Sequence, residues 1–140
     1  MIKLNKEKSC GAVVYKVENG TIYYYIIKQV KGHFSFSKGH VEEGESEEET
    51  ASREIEEETN LRVIIDSKFR EVSTYSPKPN VIKDVIFFVA LAINDKVKPQ
   101  KEEVSEVLCL KYEDAYKLLT YEKDKEILHK ADIYIKKRIK

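Results

Sequence analysis

Ten glutamates crowd the stretch from Glu42 to Glu58, and Arg53 is the one basic residue among them. Ser46 followed three residues later by Glu49 forms a capping box. A helix that starts there carries Glu47, Glu48 and Glu49 in its first turn, where the macrodipole favours negative charge. Helical spacing then stacks Ala51, Ile55 and Thr59 on a narrow inward face and brings Glu54, Glu57 and Glu58 together on another. Three carboxylates on one face repel each other and suit a hard divalent cation. Mg²⁺ or Mn²⁺ takes oxygen ligands and leaves part of its shell to water and substrate phosphate. An acidic face can also be plain solvated surface, so the surrounding elements have to decide.

Those elements follow from period and punctuation. Residues 9–17 and 21–30 are β-branched and aromatic runs flanking Glu18-Asn19-Gly20, which predicts a strand pair closed by an Asn-Gly turn. In Lys31 to Ser37, Phe34 and Phe36 alternate with serines as one short strand that delivers Lys38 and Gly39 to the acidic helix. Arg62 to Tyr75 and Val81 to Ile93 read as strands separated by the loop Ser-Pro-Lys-Pro-Asn, the second apolar enough to be central. Asn94 to Val104 reads as a loop before a short strand from Glu106 to Leu110. Helices are predicted over Glu113 to Leu119 and Lys123 to about Arg138. In the longer one Ile127, Leu128, Ala131, Tyr134, Ile135 and Arg138 lie close to one stripe. The order of strands, helix, strands and helices indicates a mixed α/β sandwich.

The chain has 140 residues, the size of a single domain over 1–140. Its 25 basic and 25 acidic residues balance, which argues against long nucleic acid and against an anionic membrane as partner. No apolar run approaches membrane-spanning length and no signal-peptide pattern opens the chain, so a soluble cytoplasmic protein is expected. Cys10 and Cys109 lie in apolar strand-like runs without ligand neighbours and read as reduced, buried thiols.

The frame around the helix is specific. Gly39, five residues, Glu45, seven residues, Arg53-Glu54-Ile55, one residue, Glu57-Glu58, one residue, Asn60-Leu61 resembles the box of the Nudix hydrolase family, in eight of nine specified positions. The departure is Asn60, where the family has glycine. Asn tolerates the left-handed backbone expected after a helix, so it is read as a cap with little consequence for the chemistry. The resemblance implies an α/β/α sandwich with a mixed sheet, and hydrolysis of a pyrophosphate bond with Mg²⁺ or Mn²⁺. Glu54, Glu57 and Glu58 carry over as metal ligands, together with the Gly39 carbonyl.

Beyond the box itself, the run from Phe34 to Glu45 that enters it, with Ser37 where members often carry proline, the stretch from Gln100 to Ala115, and the stretch from Leu119 to Leu128 resemble the asymmetric diadenosine tetraphosphate hydrolase branch. That resemblance makes Glu103 the general base or an outer metal ligand, in preference to its neighbour Glu102. It also makes Tyr75 and Tyr121 the rings that clamp an adenine. Arg53 and Glu45 are read either as a catalytic pair or as an ion pair beside the site. Lys38 and His40 flank Gly39 within reach of substrate phosphates. Lys83 is a phosphate candidate because a charge in an apolar strand calls for a partner. The expected partner is a small nucleotide, the expected state a monomer and the expected substrate diadenosine tetraphosphate, cut to ATP and AMP. The alternatives are the same chemistry on RNA 5′ ends, inositol pyrophosphates or another nucleoside diphosphate derivative, and a catalytically silent nucleotide-binding domain.

Overall fold

The computed structural model describes residues 4–100 and 102–139, so Lys101, within the expected 94–104 loop, lies outside the described residues. Chain order is β1 (Asn5–Glu18), β2 (Thr21–Gln29), β3 (Phe34–Ser35), β4 (Lys38–His40), α1 (Glu47–Thr59), β5 (Val63–Tyr75), β6 (Val81–Ala92), β7 (Val104–Lys111), α2 (Tyr112–Leu118) and α3 (Glu122–Arg138). The strands form a mixed sheet in which β1 runs parallel to β6 and every other pairing is antiparallel. Among the described residues no helix is long and apolar enough to cross a membrane.

β1 begins earlier than the apolar pattern suggests. Asn5 to Lys8 pair with β6 but are mostly exposed, so they show none of the alternation that marks a half-buried strand. Its other edge changes partner along its length: Val14 to Glu18 pair with β2, whereas Ser9 to Gly11 pair with β4. β7 occupies the far edge of β2, so β3 takes the stretch of β2 that β1 has left. Of the strand expected over 31–37 only Phe34–Ser35 is strand, and a second short strand, Lys38–His40, follows it with a different partner, so Lys38 and Gly39 are themselves strand residues. Gly11 permits this, since a Cβ there would run into the Ser37 carbonyl oxygen and the Lys38 side chain. At the other end of β1, Asn19 (φ 51°) and Gly20 (φ 79°) both take positive φ, as the expected two-residue hairpin requires.

Strand alternation sorts the core into two layers. Ala12, Val14, Ile86, Phe88 and Ala90 face α1, where Ala51 and Ile55 are completely buried. Val13, Val85, Phe87 and Val89 face the opposite side and pack with Ala115, Leu119, Ile127, Leu128, Ala131 and Ile135 of α2 and α3. This is the expected α/β/α sandwich, and truncating Ile55 to alanine would cost about 2–5 kcal/mol. Two details differ from the sequence reading. Arg138 is exposed and lies over the Tyr134 ring, 3.5 Å from its centroid, rather than in the apolar stripe. Cys109 is exposed because β7 is an outer strand whose alternate residues face out; Cys10 is buried as expected.

Candidate active site

α1 starts as its sequence dictates. The Ser46 side chain accepts from the Glu49 backbone N–H (3.1 Å), and the Glu49 carboxylate accepts from the Ser46 N–H (2.8 Å). Glu47 then anchors the first turn to the sheet through Arg70 (2.9 Å) and Lys8 (2.6 Å), and these partners lower its pKa to about 2. The helix runs with Glu54 and Glu58 buried, one turn apart, and Glu57 exposed.

Glu54 and Glu58 line a cleft of about 280 Å³ together with Gly39, Lys38, His40, Lys83 and Glu103. It therefore unites residues of β4, α1, β6 and the turn before β7. Glu103 reaches this cleft and Glu102 does not line it. The Glu103 carbonyl accepts from Val30 N–H (2.8 Å), which ties its turn to the end of β2. Lys83 is half-buried and, among the described residues, forms no ion pair. Burial, and then the nearby Lys38 charge, lower its pKa, while Glu7 raises it.

Arg53 is surrounded. Its Nε and one terminal nitrogen donate to the two Glu45 oxygens (2.6 and 2.9 Å), and that same terminal nitrogen donates to the His40 carbonyl (3.0 Å). The other terminal nitrogen donates to Glu54 (2.8 Å) and Glu57 (3.3 Å). Glu45 accepts further from Glu42 N–H (3.0 Å) and the Thr50 hydroxyl (2.8 Å). The Arg53 bond leads the effects that lower its pKa to about 2. This geometry suits a brace that holds β4, the loop before α1 and the helix carboxylates in register, with no N–H of Arg53 left over for a substrate.

The cleft can be tested for a divalent cation. As they stand, Glu54 and Glu57 turn toward Arg53, and among the described residues no three acidic, imidazole or thiol side chains converge on one point. The donor chemistry nevertheless fits a hard ion: carboxylate oxygens along one wall, with the backbone of Gly39 beside them. A Cβ at position 39 would collide with the Glu54 carboxylate, so only glycine lets that carboxylate lie against the β4 backbone. Ser9 Oγ, buried in the same wall, has no hydrogen-bond partner among the described residues.

A larger cavity of about 620 Å³ adjoins the cleft, and Lys38 and Gln29 line both. Its walls carry Tyr75 from the end of β5 and Tyr121 at the N-cap of α3, the two tyrosines expected from the resemblance. It also carries two residues that the sequence reading passed over. The His33 ring meets Tyr121 edge-on at 5.9 Å between centroids. Asp124 stands in the first turn of α3, where burial raises its pKa to about 6 against the opposing pull of Lys38. His33 lay in a stretch read only for its phenylalanines. Asp124 was legible as part of the 119–128 segment, but nothing in its spacing pointed to a cavity.

A NUDIX domain model matches residues 8–131, spanning both cavities and all the elements that build them. The chain belongs to the Nudix family. Within that family it is 33% identical over 94 residues to the asymmetrical bis(5′-nucleosyl)-tetraphosphatase of Rattus norvegicus, a match covering 59% of this chain and 63% of that protein. It is 29% identical over 134 residues to the Caenorhabditis elegans protein of the same name, covering 91% of this chain and 96% of the relative. Among solved Nudix structures, the C. elegans Ap4A hydrolase binary complex superposes with a TM-score of 0.83 at 27% identity, over 92% of this chain and 97% of that one. The NUDIX domain of Shewanella oneidensis NrtR, complexed with ADP ribose, superposes at 0.77 with 15% identity, over 96% of this chain and 90% of that chain, which is a likeness of fold.

Proposed function

We propose that this chain hydrolyses a pyrophosphate bond in a nucleoside polyphosphate, and that its substrate is diadenosine tetraphosphate, cut to ATP and AMP. The observation that carries this reading is the junction of the two cavities. A space of about 620 Å³ walled by two tyrosines opens through Lys38 into an acidic cleft, so a base and its phosphate chain have adjoining places. The names of the rat and nematode relatives point the same way.

The residues divide the work by chemistry. Tyr75 and Tyr121 offer flat apolar faces to adenine, and stacking of this kind is worth roughly 1–3 kcal/mol per base. Lys38, His40 and Lys83 face the phosphate chain. Lys83 is half-buried and forms no ion pair among the described residues, so an arriving phosphate would give it an anionic partner. Glu54, Glu57, Glu58, the Gly39 carbonyl and Glu103 would hold a divalent cation, Mg²⁺ or Mn²⁺, which when bound polarises the phosphate oxygens and neutralises developing charge. Glu103, which lines the same cleft, accepts the proton of the attacking water at a carboxylate oxygen. The bond from water oxygen to phosphorus forms as the bridging P–O bond breaks, and the leaving nucleotide departs along the Lys38 side. Glu45 and Arg53 act by holding the helix carboxylates in place.

Product chromatography tests this directly, after incubation with Mg²⁺ and a panel of dinucleoside polyphosphates, an inositol pyrophosphate and a triphosphorylated RNA end. ATP and AMP in equal amounts are expected from diadenosine tetraphosphate. Two ADP, or preferential cleavage of another panel member, would overturn the substrate reading, and binding without cleavage would make the chain a silent nucleotide-binding domain. Glu103→Gln should lower kcat by roughly two to four powers of ten with KM little changed, since it removes an interaction that matters as charge develops.

A further inference from the structure

Asn60 replaces the glycine of the Nudix box, and its backbone does what glycine would do. It caps α1 at φ 67° and ψ 9°, with its N–H donating to the Glu56 carbonyl at 2.9 Å. Its side chain does something glycine cannot. Nδ2 donates to the Lys96 carbonyl (2.7 Å), and Oδ1 accepts from Gln100 Nε2 (3.3 Å), which also donates to the Glu56 carbonyl (2.9 Å). Backbone bonds continue the seam, from Lys98 N–H to the Thr59 carbonyl (2.9 Å) and from Gln100 N–H to the Glu58 carbonyl (3.3 Å). Asn94 adds a bond from its Nδ2 to the Asn60 carbonyl (3.4 Å).

The stretch held in this way has no packing of its own. Every residue from Asp95 to Gln100 is exposed, so hydrogen bonds rather than burial fix its path. Three residues beyond Gln100 the chain reaches Glu103, which lines the same cleft as Glu54 and Glu58 of that helix. Asn60 thus caps the helix as expected and in addition makes side-chain bonds that a cap alone does not need.

We propose that Asn60 is a positioning residue for the reaction: through Lys96 and Gln100 it clamps the 94–100 loop to the end of α1 and so sets where Glu103 stands relative to the helix carboxylates. This rests on the reading of Glu103 as the base. A small displacement of a catalytic group lowers turnover without weakening substrate binding, because it acts on the attack geometry alone.

Asn60→Gly keeps the left-handed backbone and removes only the clamp. Hydrogen exchange should show about tenfold weaker protection at Lys98 and Gln100. On diadenosine tetraphosphate kcat should fall roughly five- to twentyfold with KM within about twofold, and Tm should move by no more than a few degrees. Gln100→Ala should lower kcat similarly, and the double variant should lose little more, because both changes cut one network. In a Glu103→Gln background Asn60→Gly should cost no further turnover, whereas a merely structural role would still cost. Unchanged exchange at Lys98 and Gln100 would overturn the clamp. A kcat loss that persists in the Glu103→Gln background would overturn its action through Glu103. A Glu103→Gln protein with wild-type turnover would overturn the assignment of Glu103 as base and with it the catalytic part of this proposal, leaving the hydrolysis itself to product chromatography and the clamp to exchange.

Discussion

In the acidic cleft, charged groups hold one another: Arg53 spans Glu45, Glu54, Glu57 and the His40 carbonyl, and Gly39 is nested on the Glu54 carboxylate. In the adjoining cavity Tyr75 and Tyr121 are 44% and 53% exposed, and they come from a strand end and a helix cap 46 residues apart in sequence. The first region is braced before any ligand arrives, while the second offers open faces that a ligand would complete. Chemistry demands positions fixed to fractions of an ångström, whereas stacking tolerates sliding, so a single fold can keep one rigid and leave the other adaptable.

Breaking the braced region should give the largest effect. Gly39→Ala places a methyl where the Glu54 carboxylate lies, and that carboxylate is the flexible end of a side chain, so the protein should fold with Tm within a few degrees of wild type. Turnover should nevertheless fall about a hundredfold or more, because Glu54 must swing away from the cleft. A fully active Gly39→Ala enzyme would show that the nest has no part in catalysis.

The adaptable region should respond differently. If Tyr75 and Tyr121 stack on the base as proposed, Tyr75→Ala or Tyr121→Ala removes an interaction much the same in ground and transition states, so KM should rise roughly ten- to a hundredfold while kcat changes little. If instead kcat fell and KM held, the contrast between the two regions would dissolve. Steady-state kinetics on diadenosine tetraphosphate separates the outcomes.

The smallest effect is one of stability. Burial raises the Asp124 pKa from an ordinary 3.8 to about 6, so the folded state holds its proton more tightly than the unfolded state does. Asp124 therefore lowers stability progressively as pH rises from about 4 to about 6, and the full penalty remains above that. Asp124→Asn should melt higher than wild type at pH 7 and at the same temperature near pH 4. Equal melts at both pH values would show that Asp124 is well solvated in the cavity wall.

The same contrast decides what could be read from the sequence. The cleft was legible because local rules write most of it: a capping box, helical spacing, and a glycine at fixed distance from Glu45 and Arg53 all lie within 23 residues. The hairpin at Asn19-Gly20 and the two-layer alternation of β6 were legible for similar reasons. The shortening of the 31–37 strand to β3 and the separate strand β4 after it were not, since both depend on where β1 parts from β2, which is a tertiary event without a local signal. His33 and Asp124 were missed because a cavity wall assembled from distant elements has no period. Asn60 was half legible: its backbone followed from residue type, but its side-chain partners sit 36 and 40 residues further on.

The parallel pairing of β1 with β6 has a consequence in time. Asn5 pairs with Val81, 76 residues later, and the helix with its glutamates lies between them. Synthesis at about 5–20 residues per second leaves the apolar run from Cys10 to Val14 waiting roughly 4–15 s for its neighbour, longer than a hairpin or a helix needs to form. β1 and β2 can close their hairpin at once, but the other edge of β1 stays open until β6 emerges, and an open apolar edge recruits other chains. Until β6 is made, that edge of β1 is exposed to aggregation, and α1, already capped, is in place to cover one face when the two strands pair.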